Sequence, residues 1–200
     1  MIDIAVLASG SGTNLQALID TPDIKPLIRL VLSDKPGIGA LTRADTAGIP
    51  TAIVPWGDHP GRVEFSTAMA DAVEAAGAKG VVLAGFMRIL APNFIQRFPW
   101  RILNIHPSLL PAFPGAHAVE DALAYGVKVT GVTVHFVDEE VDHGPIIAQR
   151  AVEVREDDTV ETLHARIQEV EHVLYPEVVR AFVRGDLTVE GRKVVWHGQP

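Results

Sequence analysis

The chain contains no cysteine among its 200 residues. This absence excludes disulfide bonds, a thiolate metal site and a cysteine nucleophile. The sequence also has no apolar run that approaches the ~18 residues of a membrane span, and its first residues lack the basic segment of a signal peptide. The formal charge of −8 argues against a nucleic-acid surface, which needs a basic face. We therefore expect a soluble, cytoplasmic protein. The negative charge does not exclude small anionic ligands, because helix N-termini can bind them.

Short apolar runs alternate with segments of helical spacing along most of the chain. Buried strands are predicted at 2–8, 28–32, 51–54, 80–84 and 102–105, and helices between them at 39–47, 62–76 and 92–98, with a further helix at 118–125. This order predicts an α/β fold, with a Rossmann-like, doubly wound and mostly parallel sheet. Residues 129–137 and 145–154 form a predicted hairpin, and 186–196 a terminal one, so antiparallel strands are expected toward the C-terminal half.

A long helix is predicted from Thr159, a suitable N-cap, because apolar residues recur at helical spacing as far as Phe182. Pro176 lies within this pattern, and we expect it to kink the helix or to start a new segment. No linker or repeat is evident in the sequence. We therefore expect one domain over residues 1–200, with a nucleotide-binding half to about residue 100 and a catalytic half from about 101.

Residues 9–14, Ser-Gly-Ser-Gly-Thr-Asn, connect the first predicted strand to a helical pattern. Glycine lets the backbone approach a ligand, and the free N–H groups of a helix start favour an anion. Three interpretations are open on the residues alone: a dinucleotide fingerprint, a tight strand–helix turn, and a phosphate cradle for a mononucleotide. Leu15 stands where the fingerprint would have its third glycine, which argues against the first.

Asn104 and His106 lie where an apolar strand meets a segment with prolines at 107, 111 and 114. Because side chains alternate along a strand, these two should point to the same face. Ligands of open α/β sheets bind at strand ends, which makes the pair a candidate site. The alternative is a buried Asn and His that only satisfy backbone groups of the loop.

An acidic segment follows the predicted strand that carries His135. Asp138, Glu139, Glu140 and Asp142 place four carboxylates within five residues. They could form a solvated connection, or could bind a divalent cation together with His143. The spacing fixes no ligand geometry, so we predict no metal. His135 has apolar neighbours, and a lone histidine there is more often a core residue than a ligand.

The segment Asn-Ile-His-Pro-Ser-Leu-Leu-Pro at 104–111, followed by Phe-Pro-Gly at 113–115, resembles the central motif of the folate-dependent formyltransferases. The similarity extends over nearly the whole chain. It implies that Asn104, His106 and Asp142 are catalytic, and that His135 holds the catalytic loop from behind. It also favours the phosphate cradle at the first loop, where Thr13 replaces the serine of the family.

The resemblance further implies two sets of binding residues. The nucleotide would contact Ser11, Gly12, Thr13, Asn14 and Glu171; for Glu171 the alternative is an exposed polar helix face. The folate would contact Arg62, Met87, Arg88, Ile89, Leu90, Asn104, Asp138, Glu139, Glu140, Val141 and Asp142. Asp138 replaces a residue that is often Thr in the family, and Arg88 is expected to anchor its loop.

The implied reaction transfers the formyl group of the cosubstrate 10-formyltetrahydrofolate to the amine of glycinamide ribonucleotide in purine biosynthesis, without a metal. Asn104 and protonated His106 would stabilise the oxyanion and Asp142 would relay protons, whereas Ser108 lacks an evident base for nucleophilic attack. A formyltetrahydrofolate hydrolase and, from another class, a non-catalytic nucleotide-binding module are the alternatives. A hydrolase would be expected to carry an additional N-terminal domain. We expect a monomer or homodimer with no membrane or nucleic-acid partner.

Overall fold

All strands in the part of the chain that the computed structural model describes, residues 1–198, join one sheet. The strands are β1 Ile4–Leu7, β2 Ile28–Ser33, β3 Thr51–Ile53, β4 Gly80–Leu83, β5 Ile102–His106, β6 Val129–Phe136, β7 Ile146–Glu153, β8 Leu187–Glu190 and β9 Lys193–Trp196. The α-helices are α1 Thr13–Ile19, α2 Gly39–Ala47, α3 Arg62–Ala75, α4 Pro92–Arg97, α5 Ala118–Tyr125 and α6 Val160–Arg184.

The strand order is β3-β2-β1-β4-β5-β6-β7-β9-β8. The first five of these pair in parallel, whereas β6 is antiparallel to β5, and β7 to β6. The chain runs outward from β1 to β3 on one side, and from β4 on the other, so the order reverses between β1 and β4. Such a switch point leaves a crevice at the carboxyl ends of the strands. The fold thus confirms the predicted α/β class with antiparallel strands toward the C-terminal half.

The sheet separates two apolar cores. Ile4, Val6 and Ala8 pack with α1, α2 and α6 on one face, while Ala5 and Leu7 pack with α3 and α4 on the other. This alternation is the period of a strand that is buried on both faces. It explains why the predicted strands read as continuous apolar runs.

The helices α2 and α5 begin and end where the sequence predicted. Each is followed by a glycine in the left-handed conformation, Gly48 and Gly126, which ends the helix by taking a positive φ. Of the two outcomes expected at Pro176, a kink or a new segment, the new segment is wrong. The helix α6 continues through Pro176 as one helix of 25 residues. No helix within residues 1–198 is both long enough and apolar enough to span a membrane.

Candidate active site

Three polar side chains from two segments meet at the carboxyl end of β5. Asn104 and His106 come from the strand itself, and Asp142 comes from the loop between β6 and β7. The Asn104 Nδ2 atom lies 3.5 Å from Asp142 Oδ1, and His106 Nδ1 lies 3.5 Å from Asp142 Oδ2. In the antiparallel ladder of β5 and β6, Asn104 is opposite His135, and the loop that follows β6 carries Asp142 to within contact of both β5 side chains.

The ring of His106 is fixed by the proline-rich loop. Its Nε2 atom is 2.8 Å from the backbone oxygen of Phe113, and its side chain is almost fully buried. A carbonyl oxygen only accepts, so Nε2 carries the proton of the neutral ring. The Nδ1 atom of this tautomer carries no proton, and it faces Asp142.

His135 sets the orientation of Asn104. Its Nδ1–H donates to the backbone oxygen of Phe136 at 2.7 Å, which leaves Nε2 to accept from Asn104 Nδ2 at 3.2 Å. Burial lowers the pKa of His135, against the opposing effects of its backbone hydrogen bond and of Asp142, and so keeps the ring neutral. The amide nitrogen of Asn104 consequently points toward the site, where one N–H has only the long contact to Asp142.

Asp142 adopts a left-handed backbone conformation, with φ of 53°. Asp tolerates this region better than most residues with a Cβ atom. The backbone N–H of Gly115 donates to Asp142 Oδ2 at 2.7 Å. The carboxylate thus joins two loops that are separate in sequence, and it is in contact with both other candidate catalytic side chains.

The loop that follows His106 is held by hydroxyl groups. Thr133 Oγ1 donates to the backbone oxygen of Ser108 at 2.7 Å and accepts from the N–H of Leu110 at 3.0 Å. Gln149 donates to the backbone oxygen of Leu110 at 2.9 Å. Ser108 itself donates to the backbone oxygen of Ala112 at 2.5 Å. Its hydroxyl donates to the backbone of the loop, and no His, Asp or Glu side chain within residues 1–198 is hydrogen-bonded to it.

The first βα loop is connected to α6 through the side chain of Asn14. Asn14 Nδ2 donates to Glu171 Oε2 at 2.8 Å, and both residues are buried. Burial raises the pKa of Glu171 to about 7, while the hydrogen bond from Asn14 acts in the opposite direction. The alternative of an exposed polar helix face at Glu171 is therefore wrong. Asn14 Oδ1 is buried and has no hydrogen-bond partner among residues 1–198.

The loop after β4 is tied to the ends of β1 and β2. Ser9 Oγ donates to Asp34 Oδ1 at 2.7 Å and accepts from the N–H of Met87 at 3.0 Å. Arg88 forms an ion pair with the buried Asp34, Nε to Oδ2 at 2.9 Å, and its guanidinium lies 5.0 Å from the centroid of the Trp56 ring. These contacts make Arg88 an anchor of the loop.

Apolar side chains are unusually exposed on two segments near the site. Met87 is 66% exposed, Ile89 55% and Val141 51%, whereas Leu90 is buried in the core. Gln96, on the helix α4 that follows the segment 87–90, donates to Glu139 Oε1 at 2.9 Å. This bond links α4 to the acidic loop. Exposed apolar walls beside a few polar groups are typical of small-molecule sites. The side chain of Leu90 cannot contribute to such a wall, although its backbone can.

The remaining predicted folate residues are less constrained. The side chains of Arg62 and Glu140 are exposed, and neither forms an ion pair with another residue in the range 1–198. Asp138 Oδ2 accepts from His143 Nδ1 at 2.8 Å within the acidic loop. Among the described residues, no group of three or more His, Asp or Glu side chains is arranged to hold a metal ion.

Sequence reasoning missed the residues that support the site. Ser9, Asp34, Thr133 and Gln149 form the hydrogen bonds that hold the three loops, and none was predicted to do so. Ser9 and Asp34 could have been found, because each is a polar residue directly after an apolar strand run. Thr133 and Gln149 gave no such signal, since Thr is common in strands and a Gln is normally solvated.

An amide, an imidazole and a carboxylate that converge at one strand end of a doubly wound sheet are typical of an enzyme active site. A family model described as formyl transferase matches residues 2–179. The chain belongs to the formyl transferase family.

Several relatives resemble the chain over most of its length. The phosphoribosylglycinamide formyltransferase of Mycobacterium tuberculosis is 47% identical and is aligned over 94% of this chain and 88% of its own. The crystal structure of glycinamide ribonucleotide transformylase 1 from Symbiobacterium toebii has a TM-score of 0.95 and 48% identity, over 98% of this chain and 94% of that one. The trifunctional purine biosynthetic protein adenosine-3 of Gallus gallus is 46% identical over 98% of this chain. This chain spans about a fifth (20%) of the length of that trifunctional relative.

Proposed function

We propose that the protein transfers the formyl group of 10-formyltetrahydrofolate to the amine of glycinamide ribonucleotide, a step of purine biosynthesis. The observation that carries this proposal is the meeting of Asn104, His106 and Asp142 at the end of β5, within a chain that shares almost half of its residues with phosphoribosylglycinamide formyltransferases. Its cytoplasmic location and its state as monomer or homodimer remain predictions from the sequence.

The chemistry requires stabilisation of a carbonyl oxygen that becomes negative when the amine attacks. One N–H of Asn104, fixed by His135, can donate to this oxygen by giving up its 3.5 Å contact with Asp142. An N–H of a protonated His106 ring at Nδ1 would be a second donor on the same side. Removing one such donor typically lowers the rate by about 100- to 1000-fold.

Proton transfer is the other requirement, because the attacking amine loses a proton and the leaving folate nitrogen gains one. The carboxylate of Asp142 lies beside both Asn104 and His106, and it can accept the proton of the amine and pass it on to the leaving folate nitrogen, directly or through a water molecule. Its charge also stabilises a positive His106 ring, which is 3.5 Å away. No covalent intermediate is required, since the amine of the substrate is itself the nucleophile.

The two substrates would occupy opposite sides of this centre. We assign the nucleotide to the loop 11–14 and to Glu171, because Asn14 Oδ1 is buried without a hydrogen-bond partner among residues 1–198 and can accept from an amine or hydroxyl of a ligand. We assign the folate to the exposed apolar segment 87–89 and to the acidic loop. The crevice between β1 and β4 joins these two regions.

Isotopic labelling tests the proposal. With the formyl carbon of 10-formyltetrahydrofolate labelled, we expect the label on the amine of glycinamide ribonucleotide, as identified by mass spectrometry. Label found only in free formate would indicate the hydrolase, and label that stays on the folate would indicate a nucleotide-binding module.

A further inference from the structure

The helix α2 packs directly against the loop 10–14, although it contributes none of the predicted substrate contacts. The N–H of Ala40 donates to the backbone oxygen of Gly10 at 3.1 Å. Arg43 Nε donates to the backbone oxygen of Ser11 at 2.9 Å, and Arg43 Nη1 donates to Gln16 at 3.1 Å. Two successive carbonyl groups of the loop are thus bound from the side of α2.

These two contacts determine where the loop directs its N–H groups. In a trans peptide the C=O and the following N–H point in opposite directions. When the oxygens of Gly10 and Ser11 are held by α2, the N–H groups of Ser11 and Gly12 point away from it. Neither N–H finds an acceptor in the described part of the chain, residues 1–198. Gly12 has φ of 76°, and successive free N–H groups around such a left-handed residue form an anion-binding concavity.

The close approach of α2 depends on two glycines. A Cβ atom at Gly12 would lie 2.6 Å from the Cα atom of Ala40, and one at Gly39 would lie 2.7 Å from the backbone oxygen of Ser11. Neither neighbour is the flexible end of a side chain, so the loop would have to move. The conformation of the loop and the position of α2 therefore depend on each other. The buried Asn14, whose Oδ1 accepts no hydrogen bond from the described part of the chain, is an independent sign that a ligand completes this region.

We propose that Arg43 is a positioning residue for the phosphate group of the nucleotide, and that it acts by holding the Ser11–Gly12 peptide so that its N–H faces the phosphate. This inference rests on the proposed nucleotide site at loop 11–14. Arg43 does not contact the substrate in this account. Arg43 is a half-buried residue, and its hydrogen bond to Ser11 lies at the surface. The bond is charge-assisted, and such bonds are stronger than neutral ones.

The test replaces Arg43 by Met, which keeps the length of the side chain and removes both hydrogen bonds. We expect the KM for glycinamide ribonucleotide to rise roughly 10-fold, as for the loss of one hydrogen bond from a charged group. The folate KM and kcat should not change. Arg43→Lys, which keeps one donor, should give a smaller increase. Arg29→Met is the matched control, because Arg29 is an exposed arginine that pairs with Asp3 away from the loop.

A substrate without its phosphate separates positioning from a general loss of structure. For glycinamide ribonucleoside, Arg43→Met should have the same kcat/KM as the wild type, so that the preference for the nucleotide falls. An equal loss for both substrates, or an unchanged nucleotide KM, would overturn the inference. An Asn14→Ala variant measured in parallel tells the two failures apart. If it raises the nucleotide KM while Arg43→Met does not, only the role of Arg43 is wrong; if neither does, the nucleotide site itself is misplaced.

Discussion

Glu171 should make the stability of the protein fall as the pH rises. Burial raises its pKa from the ordinary 4.5 to about 7, so the folded protein keeps a proton that the unfolded chain has released between these two values. Stability is therefore lost as the pH rises from about 4.5 through about 7. The whole difference corresponds to about 3 kcal/mol at a pH well above 7. Glu171→Gln stays neutral and can still accept from Asn14, so it should lack this loss.

Urea unfolding at a series of pH values between about 4 and 9 measures the effect, since the linear extrapolation gives the free energy of unfolding at each pH. We expect the two proteins to be nearly equal at the acidic end, and the variant to be more stable at the alkaline end. Glu169→Gln, which removes an exposed carboxylate of the same helix, is the control and should follow the wild type. Parallel curves for the wild type and Glu171→Gln would refute the reasoning.

Three further results are expected. Asp142→Asn should lower kcat by about 100-fold or more, because it removes the proton acceptor, while Asp138→Asn in the same loop should have a far smaller effect on kcat. His106→Ala should lower kcat to a similar extent. Wild-type turnover in both the Asp142 and the His106 variants would reject the mechanism. Asn14→Ala should raise the nucleotide KM far more than the folate KM, and steady-state kinetics with equal effects would reject the division of the site. Tyr175→Phe removes a buried donor that lies 2.7 Å from the backbone oxygen of Leu83, so thermal unfolding should show a loss of about 1–2 kcal/mol, and an unchanged midpoint would show that this bond contributes nothing.

The sequence predicted the elements well where a local signal determines them. The helices α2 and α5 end where predicted because a glycine that can take a positive φ follows each one. Pro176 is the opposite case, since its local preference to interrupt a helix is outweighed by packing. Pro176 is itself buried, as are its neighbours Tyr175 and Val178, and α6 stays continuous to keep this face in the core.

Contacts between distant segments were beyond reach of a single sequence. The bond between Asn14 and Glu171 joins residues 157 positions apart, and no pattern around either residue announces the other. Asn104, His106 and Asp142, which the resemblance implies to be catalytic, do lie together in the structure, while their catalytic role stays a prediction. Their supporting residues were missed because Thr133 and Gln149 take their roles from the antiparallel pairing of β6 and β7. Such pairing is known only when the sheet is.

The most direct test of the proposed activity measures the formation of the folate product, tetrahydrofolate, from 10-formyltetrahydrofolate. The reaction is followed by absorbance, with and without glycinamide ribonucleotide. We predict that folate product appears with the nucleotide and not without it, and that Asp142→Asn abolishes most of this acceptor-dependent release. Equal release in the absence of the nucleotide would make the protein a hydrolase, and no release under either condition would contradict an enzymatic role for the site at β5.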